Sequence, residues 1–259
     1  MLDDGTVGAR IEGEIGWILL GGERAFTLDQ AFPAAFEGAI DAVEAAGARA
    51  VVLAGTTKVF CAGADLRLAP RLQEPEFAKH WLEIQHGAIR KLVECPLPTV
   101  AAVHGAAAGA GCNLALGCDH VVTATRAGFS QAFIRIGLAT DMGSLYLLPR
   151  RVGHQTAKEL MLSGRTVGGA EAVEIGLADE AVETDEVWER SRTIAAARAA
   201  GPLAAYAAVK RGLDRGATDL CQSLDIEADL QLAVMAHPDF AEGSAAFLEK
   251  RPPRFGASG

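Results

Sequence analysis

Residues 98–124 read PTVAAVHGAAAGAGCNLALGCDHVVTA, and the fold is decided here. Thr99–Val103 is a short apolar run, suited to a strand covered on both faces. Gly105–Gly111 holds only glycine and alanine, so its backbone lies open to whatever sits above it. A helix over Ala110–Gly117 follows, and Val121–Ala124 is another buried strand. Strand, tight loop, helix and strand make a layered α/β unit. The loop joins the carboxyl end of a strand to a helix start. The first helical amides are unpaired there, and ligands of α/β sheets bind at such strand ends.

The pattern extends in both directions. Ala50–Ala54 (AVVLA) is a buried strand, and FCAGADL at 60–66 is a small-residue loop at a strand end. Val7–Ile11 and Ile15–Leu20 form an opening hairpin around Gly13. Thr27 is placed to cap a helix from about Leu28 to Ala46, with Phe32, Phe36, Ile40 and Val43 on one stripe. Glu76–Val93 is a long amphipathic helix, ended by Pro96 and Pro98. After Gly128 the chain reads as successive helices near 141–148, 154–162, 169–175, 185–199, 202–213, 218–236 and 238–250. The expected class is α/β with a helical C-terminal subdomain, divided as residues 1–199 and 200–259.

The chain has 259 residues and a formal charge of -9. That balance argues against nucleic-acid partners, which require phosphate neutralisation by Lys and Arg. No apolar run is long enough to span a membrane, and the first residues lack a secretory signal. A cytoplasmic protein is expected. Cys61, Cys95, Cys112, Cys118 and Cys221 read as free thiols of a reducing compartment. The six histidines show no ligand spacing, so no metal is expected.

One N–H from each small-residue loop would form a pair of donors for a developing oxyanion, and Ala64 and Ala110 are the candidates. Tight packing alone would also explain both loops. Neither matches a dinucleotide or P-loop fingerprint.

With these motifs in order, the chain resembles the enoyl-CoA hydratase/isomerase (crotonase) superfamily. FCAGADL resembles that family's first oxyanion loop, and residues 98–124 resemble the second loop, its helix and the next strand. GLATDMGSLYLLPRRVG, AKELMLSGRTVGGAEAVEIGLADEAV and HPDFAEGSAAFLEKRPPRF resemble later family segments. The resemblance implies a ββα spiral core with a C-terminal helical trimerisation part. It also implies an acyl-CoA substrate, no cofactor beyond that coenzyme A, and a homotrimer or hexamer. It places Ala62, Asp65 and Leu66 beside substrate and Arg24, Phe247 and Lys250 beside the nucleotide. A packed helix face and a solvated charge are the plainer readings of Phe247 and Lys250.

Two glutamates of the family's hydratases are replaced. Their places hold Asn113 and Phe133, and an amide cannot act as a general base. The remaining acid of the pocket-forming segment is Asp141, in GLATDMG. This subtraction directs the reading to an isomerase, closest to the ring-epoxide isomerase of phenylacetate breakdown, with Asp141 as the proton-transfer base. Ile134, Ile136, Leu138 and Met142 are expected to enclose its carboxylate and raise its pKa. The plainer reading of Asp141 is an N-cap for a helix from Met142 to Leu148. His86 and Asp141 also match a histidine and a nucleophilic aspartate of the family's 4-chlorobenzoyl-CoA dehalogenase, which has a tryptophan where Phe133 falls. Hydratase, dehalogenase-like or hydrolase chemistry and a non-catalytic acyl-CoA binder are the alternatives. Trp81, Phe129 and Phe133 are the expected shapers of the acyl pocket, and His86 and Asn113 are expected beside substrate.

Overall fold

The computed structural model describes residues 5–22, 25–56 and 58–256. Among these residues, ten strands form two sheets. They are β1 (Val7–Glu12), β2 (Ile15–Leu20), β3 (Ala50–Gly55), β4 (Val59–Cys61), β5 (Thr99–Val103), β6 (Ala106–Ala108), β7 (His120–Ala124), β8 (Gly128–Ser130), β9 (Thr166–Gly168) and β10 (Glu180–Val182). The larger sheet has the order β1-β2-β3-β5-β7-β10, and the smaller β4-β6-β8-β9. β1 and β2 pair antiparallel about Gly13, whose φ of 61° suits a residue without a Cβ. From β2 to β10 the larger sheet is parallel.

Helices cover these sheets. They are α1 (Phe32–Ala45), α2 (Pro75–Val93), α3 (Ala110–Leu116), α4 (Ser144–Val152), α5 (His154–Ser163), α6 (Gly169–Glu174), α7 (Val187–Ala199), α8 (Leu203–Arg215), α9 (Leu220–Met235) and α10 (Pro238–Glu249). The order within the core explains its shape. β3 belongs to the larger sheet and β4 to the smaller, and α2 returns the chain. β5, β6 and α3 repeat that path, and so do β7, β8 and the helices after them. Each ββα turn stacks on the last, so the core is the expected spiral, followed by the helical C-terminal part.

Buried apolar runs follow from this layering. Every residue of β3 and β5 is buried, because helices or the second sheet cover both faces. The turns approach too closely for side chains at certain corners. A Cβ on Gly105 would overlap the carbonyl of Lys58, and one on Gly111 would overlap the carbonyl of Cys61. The second of these contacts seats α3 directly on the end of β4.

Two expectations are corrected. The first helix begins at Phe32 rather than near Leu28, and Thr27 does not cap it. Leu28 is committed elsewhere: its N–H donates to the Gly63 carbonyl and its own carbonyl accepts from Asp65, both at 2.8 Å. The Asp29 carboxylate instead accepts from the N–H groups of Ala31 and Phe32, each at 2.9 Å. The region after Gly128 is also not wholly helical, since β8, β9 and β10 lie within it. No helix among the described residues is long and apolar enough to cross a membrane.

Candidate active site

The two small-residue loops meet at one cavity of about 480 Å³. Its wall includes Ala62, Gly63 and Ala64 from the first loop and Gly109 and Ala110 from the second. The pairing of Leu28 with residues 63 and 65 dictates which way the first loop points. Along an extended chain successive N–H groups alternate in direction. Asp65 points its N–H at Leu28, so Ala64, which lines the cavity, points its own to the opposite side of the loop. In the second loop, the Gly109 N–H is used by the Ser130 carbonyl at 2.8 Å. Ala110 follows as the first residue of α3, where an N–H has no partner within the helix. A Cβ on Gly63 would lie 3.5 Å from the Ala110 nitrogen, so the two loops are in contact. Two outward N–H groups on adjoining loops can stabilise a charge that develops on one carbonyl oxygen.

On the cavity's other side, α2 contributes Trp81, Leu82, Gln85 and His86. Trp81, Gln85, Ala88, Ile89 and Leu92 form the helix's buried stripe. His86 sits at the flank of that stripe, at the cavity rim. Its Nε2 lies 2.6 Å from Oδ1 of Asp141, the shortest contact between polar side chains in the site. The imidazole side chain is 45% exposed and the aspartate 27%, so both are reachable from the cavity. Asp141 does not cap a helix. α4 starts at Ser144, its cap position is Gly143, and no side chain caps it.

The segment carrying Asp141 is strained. Met142 has φ of 53°, a left-handed conformation that bulky residues avoid, at a cost of about 1–3 kcal/mol. Burial of its side chain against the core offsets this. The expected apolar enclosure of Asp141 is not present, since Ile134, Ile136 and Leu138 are each exposed. Phe133 occupies a short 3-10 turn over Ala132–Ile136, and its ring lies against Gly109.

The other candidates separate into two groups. Leu66 lines the cavity with Ala62 and is itself exposed. Asp65 turns away: its carboxylate takes the Arg67 side chain at 2.7 Å and caps the following turn. That arginine holds the Asp65 carboxyl below the usual carboxylate range. Asn113 and Phe129, both expected at the acyl pocket, are instead wholly buried and do not line the cavity. Phe247 and Lys250 end α10 and do not line this cavity. Arg24 lies outside the described residues. Sequence reasoning passed over Gln85, whose Nε2 donates to the Asp29 carbonyl at 2.9 Å and ties α2 to the approach to α1. It also passed over Thr140, Leu72 and Leu82 in the wall. The helical spacing of Trp81, Gln85 and Ala88 was the available signal for the first of these. Among the described residues no cluster of His, Cys, Asp and Glu could hold a metal ion. Burial pushes the thiols of Cys61 and Cys112, which border the loops, up to about 12.

The profile of the enoyl-CoA hydratase/isomerase family matches residues 21–258. A probable enoyl-CoA hydratase of Rhodobacter capsulatus is 44% identical over 80% of this chain and 81% of its own length. The 1,2-epoxyphenylacetyl-CoA isomerase of Escherichia coli is 34% identical over 80% of each chain. The crystal structure of an enoyl-CoA hydratase from Polaromonas sp. JS666 superposes with a TM-score of 0.90 at 31% identity, covering 97% of this chain and 100% of the other. This protein belongs to the enoyl-CoA hydratase/isomerase family and has the fold and acyl-CoA chemistry of that family. The preference for an isomerase over a hydratase is corrected. The protein of higher identity is named a hydratase, as are most similar proteins, and the phenylacetate-pathway enzyme is the more distant of the two. The isomerase preference rested on two missing glutamates, and the contact between Asp141 and His86 formed no part of it.

Proposed function

We propose that this protein adds water across the α,β double bond of an enoyl-CoA thioester, with Asp141 and His86 as the acid–base pair. The observation that carries this reading is their 2.6 Å contact at the rim of a cavity that also exposes the Ala64 and Ala110 loops. His86 engages one carboxylate oxygen and leaves the other for a water. As that water bonds the β carbon, Asp141 accepts its proton. The electron pair moves through the α carbon to the thioester oxygen, where the N–H groups of Ala64 and Ala110 receive it as an oxyanion hole. The pair then returns one proton to the α carbon. Atoms and charge balance, and one dyad serves where two glutamates serve in the hydratases.

Ala62, Leu66, Trp81 and Phe133 bound the acyl and pantetheine path in this reading. Arg24, Phe247 and Lys250 are the nucleotide contacts, the last two reaching a neighbouring copy within a trimer or hexamer. Residues 1–199 form the catalytic core and 200–259 the assembly region.

The same contact favours a second reading, nucleophilic substitution on an aromatic acyl-CoA. There the Asp141 carboxylate would attack the ring carbon and His86 would activate water to cleave the resulting ester. A pure-protein assay against an unsaturated acyl-CoA and 4-chlorobenzoyl-CoA separates the two. Hydration predicts turnover of the first without halide release. Halide release from the second, with the first untouched, would replace the proposal.

A further inference from the structure

Asn113 and Gln131 lie outside the cavity wall, and both are buried. Their hydrogen bonds form one directed chain. Ser144 Oγ and Thr140 Oγ1 donate to Gln131 Oε1 at 2.9 and 3.1 Å. Gln131 Nε2 donates to Asn113 Oδ1 at 2.8 Å. Asn113 Nδ2 donates to the backbone carbonyl of Asp141, also at 2.8 Å. The Ser144 N–H reaches that same carbonyl at 3.2 Å and closes the ring. Both hydroxyls donate to one end of the chain and a carbonyl waits at the other. Flipping either amide would therefore face like groups together in a buried site.

The ring encloses the strained turn. It grips residues 140, 141 and 144, and between them lie Met142 and Gly143, both left-handed. That turn fixes where the Asp141 side chain leaves the backbone. We propose that Asn113 and Gln131 are positioning residues: they hold the Asp141 carboxylate against His86 without touching substrate. This rests on Asp141 being the acid–base group. It also gives position 113 a role of its own. An ionised carboxylate there would be an acceptor only and would oppose the Asp141 carbonyl. The amide at 113 and the acid at 141 are thus one arrangement, in which the first residue supplies the donor that the second requires.

The test uses Asn113→Asp and Gln131→Glu, which keep shape and remove a donor. Each is assayed with an unsaturated acyl-CoA beside Asp141→Asn and the unaltered protein. The expected result is a kcat lower by roughly tenfold or more, as for a displaced reacting group, with KM changed less than about twofold. The acidic limb of the kcat–pH profile moves to higher pH in Asn113→Asp, because a new carboxylate then lies near Asp141. The double variant falls little below the worse single one, because both break one chain. Should either isosteric variant fail to fold, Ser144→Ala removes one donor without adding charge and gives a smaller kcat loss at constant KM. Folded variants with unaltered kcat and pH profile, while Asp141→Asn is inactive, overturn the positioning role alone. Full turnover by Asp141→Asn overturns the functional reading beneath it.

Discussion

Ala110 contributes a backbone N–H rather than a side chain, and that makes its role separable. It is the first residue of α3, a position that proline favours because its N–H is outside the helical ladder and its φ is already helical. Ala110→Pro therefore deletes the proposed donor and keeps the helix. The expected effect is a kcat lower by about 10²–10³-fold with the unfolding midpoint little changed. Undiminished turnover in a folded Ala110→Pro protein would remove Ala110 from the oxyanion site. The two loops were legible in the sequence because glycine and alanine leave few reasons for such runs other than close backbone approach. Asp141 was legible only as the last acid of its segment. Its pairing with His86 was readable only through the resemblance to the dehalogenase, since residue 86 and residue 141 stand 55 positions apart and no spacing rule links a helix flank to a loop. Asn113 was noticed for what it lacks, a carboxylate, while the donor it supplies became visible only with the Asp141 carbonyl in place.

Elements with long apolar patterns were readable, and short ones held by neighbours were not. β3, β5 and α2 follow from their own residues. β6 is three alanines, a residue poor in intrinsic strand preference, and it is extended because β4 and β8 flank it. The same dependence misled the reading of α1. Leu28 continues the helical stripe, yet pairing with the 63–65 loop claims its backbone. Such tertiary seating has an energetic signature at Gly111, where α3 rests on the end of β4. Gly111→Ala would drive a methyl group into the Cys61 carbonyl. Backbone cannot yield as a side chain can, so a loss of about 1–3 kcal/mol is expected, read as a lower urea midpoint at unchanged slope. An unchanged midpoint would mean that the two turns of the spiral are not in contact there.

Across the whole molecule, the C-terminal helices leave an apolar surface uncovered. Leu213, Leu220, Leu224, Leu232, Met235, Phe247 and Leu248 of α8, α9 and α10 are all more than half exposed. A lone chain seldom carries so many large apolar side chains on one region. Assembly through residues 200–259 would cover them, and the expected mass in solution is three or six times 27.0 kDa. A monomer at micromolar concentration would contradict the assembly role of these helices and, with it, the reach of Phe247 and Lys250 to a neighbour's nucleotide. The spiral core, the cavity and the His86–Asp141 contact all lie within the preceding residues, so their chemistry has its own test. The most direct is turnover of an unsaturated acyl-CoA in water labelled with heavy oxygen, with Asp141→Asn alongside. Hydration by the His86–Asp141 pair places one labelled oxygen on the β carbon of each product molecule, with a rate about 10²–10⁴-fold lower in the variant. Product formed without label, or formed at full rate by Asp141→Asn, would contradict it.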